Sequence, residues 1–315
     1  MMKEPLARKI VRGDVQAAAR LMRDLDDGVL SAAGALRELH ARSGHAHVIG
    51  ITGPPGSGKS TLAGALVDVA RKKGLSVGVV AVDPTSPISG GAVLGDRIRM
   101  QRHAADKAVF IRSLATRGSV GGLSRAVFDT VTVMDAMGKD IVFIETAGIG
   151  QEGVKVAGAA HTLLAVCAPG MGDDIQALKA GVLEIADIFV ANKRDREGSD
   201  ELVRDLRSAL GPKKSPEGWE RPVIKTDALT GKGVGELAEL IARHKKFLSK
   251  TRAWQKRSKS MAESAFMELL ECGIRERVGE KLAKEKPWVR LLEDLGNRRT
   301  DPRSAARRAL GKMFK

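Results

Sequence analysis

One octapeptide constrains the fold more than any other feature of the chain. Gly53-Pro54-Pro55-Gly56-Ser57-Gly58-Lys59-Ser60 fits the pattern G-x-x-x-x-G-K-[ST], and it stands between the apolar run 48-VIGITG-53 and a stretch from Thr61 to Val67 with helical periodicity. Glycines at those positions let consecutive backbone N–H groups curl around a phosphate. The helix that follows turns its N-terminus, with about half a positive charge, toward the same point. Lys59 is then placed to reach the β- and γ-oxygens of a nucleotide, and the Ser60 hydroxyl to ligate Mg²⁺. The bare pattern arises by chance in roughly one chain in a hundred of this length, so the strand before it and the helix after it carry the argument. Gly53, Pro54, Pro55, Gly56, Ser57, Gly58, Lys59, Ser60 and Thr61 form the expected phosphate-binding set.

A loop of this kind demands an α/β frame, and the rest of the chain supplies one. After 48–53, apolar runs recur at 76-SVGVVAVD-83, 108-AVFIRS-113, 140-DIVFIETAG-148, 162-TLLAVCAP-169, 188-IFVANK-193 and 222-PVIKTDA-228. They are Val/Ile-rich and nearly continuous rather than alternating, as strands buried on both faces of a mostly parallel sheet are. The expectation is a P-loop NTPase with a mostly parallel central sheet flanked by helices, plus N-terminal and C-terminal helical extensions. Residues 1–45 read as helices over Pro5–Val11, Val15–Leu25 and Ser31–Ala41, residues 46–245 as the nucleotide-binding domain, and residues 246–315 as a helical arm. From Phe247 to Leu282 there is no Pro and only two late glycines, so one long helix or a helix pair is expected there, broken before Pro287.

Charge separates these regions. The chain has 315 residues, 53 Lys+Arg against 38 Asp+Glu, and a net charge of +15. From Lys245 onward there are 20 basic and 9 acidic residues, so the body of the chain is nearly balanced. Tyr is absent and aromatic residues make up 3%, which weakens any reading built on aromatic platforms for single-stranded nucleic acid. Cys167 and Cys272 are the only cysteines, too few for a disulfide framework or a Cys-based zinc site. No apolar window approaches the roughly 18 residues of a membrane span and the N-terminus lacks the core of a signal peptide, so a cytoplasmic chain is expected.

The sixth run closes on Asn192-Lys193-Arg194-Asp195, an N-K-x-D tetrad at the end of a strand, where open α/β sheets place their ligands. A carboxylate at Asp195 can accept hydrogen bonds from N1–H and N2–H₂ of guanine, a donor pair that adenine lacks, so GTP and GDP are expected over adenine nucleotides. Asn192, Lys193 and Asp195 join the nucleotide-binding set, with the backbone N–H groups of Asp227 and Ala228 offered to guanine O6. Asp83, which ends the second run, and Asp96, in the Gly/Ser/Pro-rich stretch after it, are hard oxygen ligands for Mg²⁺. That stretch reads as a loop able to close on a γ-phosphate. Glu145 stands where a simple small GTPase carries the Asp of D-x-x-G, and the N–H of Gly148 is placed to sense the γ-phosphate.

Together with Arg112–Gly118, Glu145-Thr146-Ala147-Gly148-Ile149-Gly150-Gln151 and Gly172-Asp173-Asp174-Ile175-Gln176 through Lys179 to Asp187, these motifs resemble the MeaB/ArgK family. Its members are P-loop GTPases that chaperone adenosylcobalamin-dependent acyl-CoA mutases, above all methylmalonyl-CoA mutase. The resemblance implies a Mg²⁺-dependent GTPase and homodimer that gates cobalamin loading and protects a B12-dependent acyl-CoA mutase. It further implies a metal shell of Ser60, Asp83, Asp96 and Glu145, switches at 83–100 and 145–153, and a third switch in which Asp173 and Lys179 face the mutase. Some relatives carry an older label as kinases of an arginine/ornithine (LAO/AO) transport system, which is the competing function. The sequence departs from the usual E-T-V-G-V-G-Q-S-E at Glu145–Gly153, shifting the acid after Gln151 by one, and has Asp301-Pro302-Arg303-Ser304-Ala305 in place of D-P-Y-x-A.

Hydrolysis of a γ-phosphate is mostly positioning and charge neutralisation. Lys59, Glu145 and Gln151 are the catalytic candidates, with Gln151 set against a structural loop role and Glu145 against ordering a metal's hydration shell. His103 and His161 read as packed or surface histidines rather than metal ligands. The basic C-terminal segment has neither a zinc-finger nor an RNA-recognition pattern, so a solvated exterior on dimer-forming helices is preferred to nucleic-acid contact. Met261, Ala265, Phe266, Leu269 and Leu270 are its candidate seam.

Overall fold

The apolar runs become the strands of one parallel sheet. The computed structural model describes residues 4–83, 101–103, 105–115, 125–146, 151–170, 181–212 and 214–313. Its strands are β1 (His47–Thr52), β2 (Val77–Asp83), β3 (Val109–Ala115), β4 (Ile141–Thr146), β5 (Thr162–Cys167), β6 (Ile188–Ala191) and β7 (Val223–Lys225). They lie in the order β3-β2-β4-β1-β5-β6-β7, and every pairing is parallel. The continuous apolar character of the runs has a direct cause: all residues of β1, β2, β5 and β6 are buried, because helices cover both faces.

Successive strand residues feed opposite cores. Val48, Val80, Val142, Leu163 and Phe189 face one core, formed with α1 (Leu6–Val11), α2 (Val15–Asp26), α3 (Ala32–His40), α5 (Arg125–Ala136), α6 (Gln151–Ala157), α7 (Val182–Ile185) and α8 (Ser199–Leu210). Ile49, Ile51, Val79, Phe143, Leu164 and Val190 face the other, formed with α4 (Lys59–Lys72) and α9 (Val234–Lys250). Each fully buried aliphatic or aromatic side chain contributes about 1.5–3 kcal/mol relative to exposure. The N-terminal helices thus belong to the same core as the sheet. Asp135 of α5 fixes their exit into β1, its carboxylate accepting from the N–H groups of Gly44 (2.7 Å), His45 and Ala46 (both 3.2 Å).

The chain divides into two compact units, residues 1–264 and 265–315. α10 (Ala253–Lys284) gives its first part to the former and the rest to the latter. Of the one long helix or helix pair expected from Phe247, the structure has the pair. α9 ends at Lys250 and α10 begins at Ala253, with Arg252 between them at φ 59°, a left-handed turn that neither Pro nor Gly announces. In the second unit α11 (Lys286–Gly296) carries Pro287 in its first turn, where the missing N–H costs nothing, and packs Trp288 and Leu291 against Ala305 of α12 (Pro302–Met313). On α10 in this unit Phe266, Met267, Leu269, Leu270 and Ile274 are exposed. Among the described residues no helix is long and apolar enough to cross a membrane.

Candidate functional site

β1 lies between β4 and β5, at the point where the sheet changes the side on which strands are added. Ligands of open parallel sheets gather outside the strand ends at such a point. β1 delivers the chain into Gly53 at φ 146°, and a Cβ there would overlap the carbonyl oxygen of Val166 in β5. Gly58, at φ 93°, precedes α4, which has no side-chain cap and no acid in its first turn. Its N-terminal dipole is therefore not offset from within the helix itself. Lys59 is 5% exposed and donates from Nζ to the carbonyls of Gly53 (2.9 Å) and Pro54 (3.0 Å), which holds the ammonium against its own loop. The Ser57 hydroxyl is buried without a hydrogen-bond partner among the described residues, as in a loop shaped to close around a further polar group.

Beside this loop, Ser60 Oγ donates to Glu145 Oε1. Glu145 is 2% exposed near the end of β4, its register fixed opposite Ile51 of β1 and Ala81 of β2. Asp83 is the buried last residue of β2. Among the described residues no three His, Cys, Asp or Glu side chains gather as a complete protein metal site. One hydroxyl and two carboxylates, all hard oxygen donors, nonetheless fit Mg²⁺, which is bound through one or two carboxylates with phosphate oxygens and water supplying the rest.

The Asn192–Asp195 tetrad is joined to the Gly53–Ser60 loop by one side chain. Asn192 is 2% exposed; its Nδ2 donates to the carbonyl of Ser57 (2.8 Å), and its Oδ1 accepts from Thr226 Oγ1 and from the N–H of Ala228 (both 3.1 Å). The approach is so close that a Cβ on Gly58 would overlap the Asn192 amide, so only glycine fits there. Lys193 follows at φ 59°, and Asp195 stands exposed beyond it. The N–H groups expected to meet guanine O6 are engaged inside the protein: Asp227 donates to the Lys232 carbonyl (2.8 Å) and Ala228 to Asn192. The Asp227 carboxylate closes the loop on itself, accepting from Thr230 Oγ1 (2.6 Å) and the N–H of Leu229 (2.9 Å). Those bonds, the Thr230 hydroxyl's first, hold its pKa below the ordinary range.

Of the other expected site residues, Asp96, Gly148, Asp173 and Lys179 lie outside the described residues, and Gln151 is the first residue of α6. His103 and His161 are both packed. His103 Nε2 lies 3.3 Å from the Gly64 carbonyl, and His161 stacks on Trp254 with ring centroids 3.9 Å apart.

Sequence reasoning missed a buried network at the opposite end of the sheet. His47 Nε2 contacts Thr162 Oγ1 (2.7 Å), which contacts His244 Nδ1 (2.8 Å), and His244 Nε2 lies 3.4 Å from Asp187. Arg257, at the root of α10, donates to both oxygens of Asp187 (2.8 and 2.9 Å), to Glu217 (3.2 Å) and to the carbonyl of His161 (2.7 Å). Burial, aided by the Arg257 charge, lowers the pKa of His161 to about 3, and burial lowers that of His244 to about 4. Both rings are neutral at pH 7. The residues of this network come from β1, β5, α9, α10 and the loops before β6 and β7 and are far apart in sequence, so no local pattern could signal it.

The chain is similar to known proteins over most of its length. Residues 23–283 match the family model described as methylmalonyl Co-A mutase-associated GTPase MeaB. A protein of Pyrococcus horikoshii that carries a GTPase name is 44% identical over 313 residues, 98% of each chain. The GTPase ArgK of Escherichia coli is 37% identical over 193 residues, 60% of this chain and 58% of its own. The mouse protein named methylmalonic aciduria type A homolog, mitochondrial, is 34% identical over 193 residues, 60% of this chain and 46% of its own. Among solved structures, one titled LAO/AO transport system kinase superposes with a TM-score of 0.71 at 24% identity, covering 98% of this chain and 97% of that one, a likeness of fold.

Proposed function

The chain belongs to the MeaB family of P-loop GTPases, and from that premise we propose that it uses GTP binding and hydrolysis to gate adenosylcobalamin loading on, and protection of, an acyl-CoA mutase, methylmalonyl-CoA mutase first among the candidates. The observation that carries the nucleotide half is the Asn192 brace, which joins the phosphate loop to the base loop in one buried unit and leaves Asp195 exposed beside it. The mutase half is supported by the family's description and by the mouse relative's name.

In this reading Asp195 accepts from guanine N1–H and N2–H₂, and the N–H groups at the start of α4 hold the β-phosphate. Lys59 moves its ammonium from the Gly53 and Pro54 carbonyls to the β/γ oxygens, where charge develops as the γ-phosphate leaves. Mg²⁺, when held by Ser60 with Asp83, Asp96 and Glu145 about it, supplies the remaining charge neutralisation. Glu145 orders that shell from β4, and Gln151 at the start of α6 orients the water whose oxygen bonds to phosphorus as the bond to the GDP oxygen breaks. Segments 83–100 and 145–153 act as switches, and Asp173 and Lys179 face the mutase. Residues 246–315 serve as the dimerisation arm of a homodimer, supported by the exposed apolar side chains of α10.

Light scattering of the full chain mixed with methylmalonyl-CoA mutase tests the reading. Complex formation that differs between a non-hydrolysable GTP analogue and GDP is expected, and a mixture indifferent to the nucleotide contradicts it. Label passing from the γ-phosphate to an amino-acid-binding protein faster than to free phosphate would instead establish the LAO/AO kinase function.

A further inference from the structure

We propose that a cleft at the outer edge of the sheet is a second anion site, taking a small phosphate ester that carries a flat apolar group. The cleft holds about 590 Å³, the size of sites for nucleotide-like ligands, and opens beside Pro222 and Val223 at the start of the edge strand β7. The phosphate loop, by contrast, lies at the C-terminal end of β1.

Three arginines, two on helices and one in a loop, line it: Arg207 in the last turn of α8, Arg221 just before β7, and Arg243 on α9. Arg71 and Arg257 of the first unit are paired with carboxylates, Asp106 and Asp187, both at 2.8 Å. Among the described residues none of the three cleft arginines has a carboxylate within 4.0 Å. Glu220, the acid in the lining, is paired with Lys214 at 3.1 Å. Arg221 is held in the wall of the cleft, donating from its two terminal nitrogens to the carbonyls of Leu183 (2.9 Å) and Lys214 (3.5 Å), so Arg207 and Arg243, both exposed, are the cations left to meet a ligand.

Such a set recognises phosphate: guanidinium forks bind its oxygens in pairs, which lysines do not. The flat part of the ligand follows from Trp219. Its Nε1 donates to the Asp187 carbonyl (3.0 Å), and its ring packs against Phe247 (5.3 Å) and His244 (4.8 Å), so it presents a fixed aromatic wall to the cleft. A concave site of this volume favours a small molecule over an acidic protein partner, whose interfaces are broad and flat.

The full chain, saturated with GDP and Mg²⁺ so that its phosphate loop is filled, is titrated calorimetrically with ADP, with pyrophosphate and with a polyglutamate peptide. ADP is expected to bind a further single site, more tightly than pyrophosphate. The double variant Arg207→Glu/Arg243→Glu is expected to lose at least tenfold in ADP affinity, and Arg207→Lys/Arg243→Lys less. Both side chains are exposed, so GTP turnover and melting temperature stay as in the parent protein. The proposal is overturned if ADP gives no heat up to millimolar concentration, if the Glu variant binds it unchanged, or if polyglutamate binds and ADP does not. Pyrophosphate binding as tightly as ADP overturns the aromatic part.

Discussion

Asn192→Ala separates this account from one in which the tetrad merely touches the base. The truncation removes three hydrogen bonds and leaves the Ser57 carbonyl, Thr226 Oγ1 and the Ala228 N–H without their partner; Ser57 and Thr226 are 0% exposed and Ala228 is 7%. Each buried polar group so orphaned costs about 1–3 kcal/mol, and water reaching part of the gap lowers the sum to about 3–5 kcal/mol. For a unit of this size that corresponds to a melting temperature lower by roughly 10 °C. The nucleotide then adds less stability than in the parent, because the two loops it bridges are no longer held in register. Asp195→Ala is the contrasting variant. Its side chain is exposed, so melting is expected to change by no more than about 0.5 kcal/mol. The loss of two charge-assisted hydrogen bonds to guanine lowers GTP affinity by about 10²- to 10⁴-fold and brings GTP and ATP together. Thermal melting and titration of a fluorescent GTP analogue measure both. If Asn192→Ala melts like the parent, or Asp195→Ala is the less stable of the two, the reasoning is refuted.

Arg257→Ala strips the cation from Asp187 and Glu217, and urea unfolding should show a loss of about 3–5 kcal/mol, the cost of uncompensated buried charge. His161 and His244 make stability fall in acid. Both are neutral when folded, with pKa values of about 3 and 4 against 6.5 when unfolded, so the unfolded chain takes up more protons as pH drops below 6.5. Between pH 7 and pH 5 each is expected to remove about 2 kcal/mol, and a stability independent of pH over that range refutes the assignment. Leu270→Glu with Ile274→Glu, at positions 43% and 41% exposed on α10, should give monomers in sedimentation while GTP turnover persists.

Much of the frame was legible because its signals are local. Continuous Val/Ile runs bounded by Gly, Pro and Asp located seven strands to within a few residues, since burial on both faces suppresses alternation, and G-x-x-x-x-G-K-S lies where its context placed it, between β1 and α4. What the sequence hid depends on the fold bringing distant residues together. Asn192 also reaches the Ser57 carbonyl, a contact that Gly58, with no Cβ, allows and that no local pattern announces. The Asp227 and Ala228 N–H groups read as donors for guanine until the loop turns them inward. The turn at Arg252 has no Pro or Gly to mark it, and the His47–Thr162–His244–Asp187–Arg257 chain exists only because β1, β5 and β6 are neighbours.

Steady-state turnover of GTP and ATP, side by side with and without methylmalonyl-CoA mutase, tests the central claim most directly. kcat/KM for GTP is expected at least about 100-fold above that for ATP, consistent with two charge-assisted hydrogen bonds to guanine, with a GTP rate that the mutase changes. Equal or preferred use of ATP, or a GTP rate indifferent to the mutase, contradicts it.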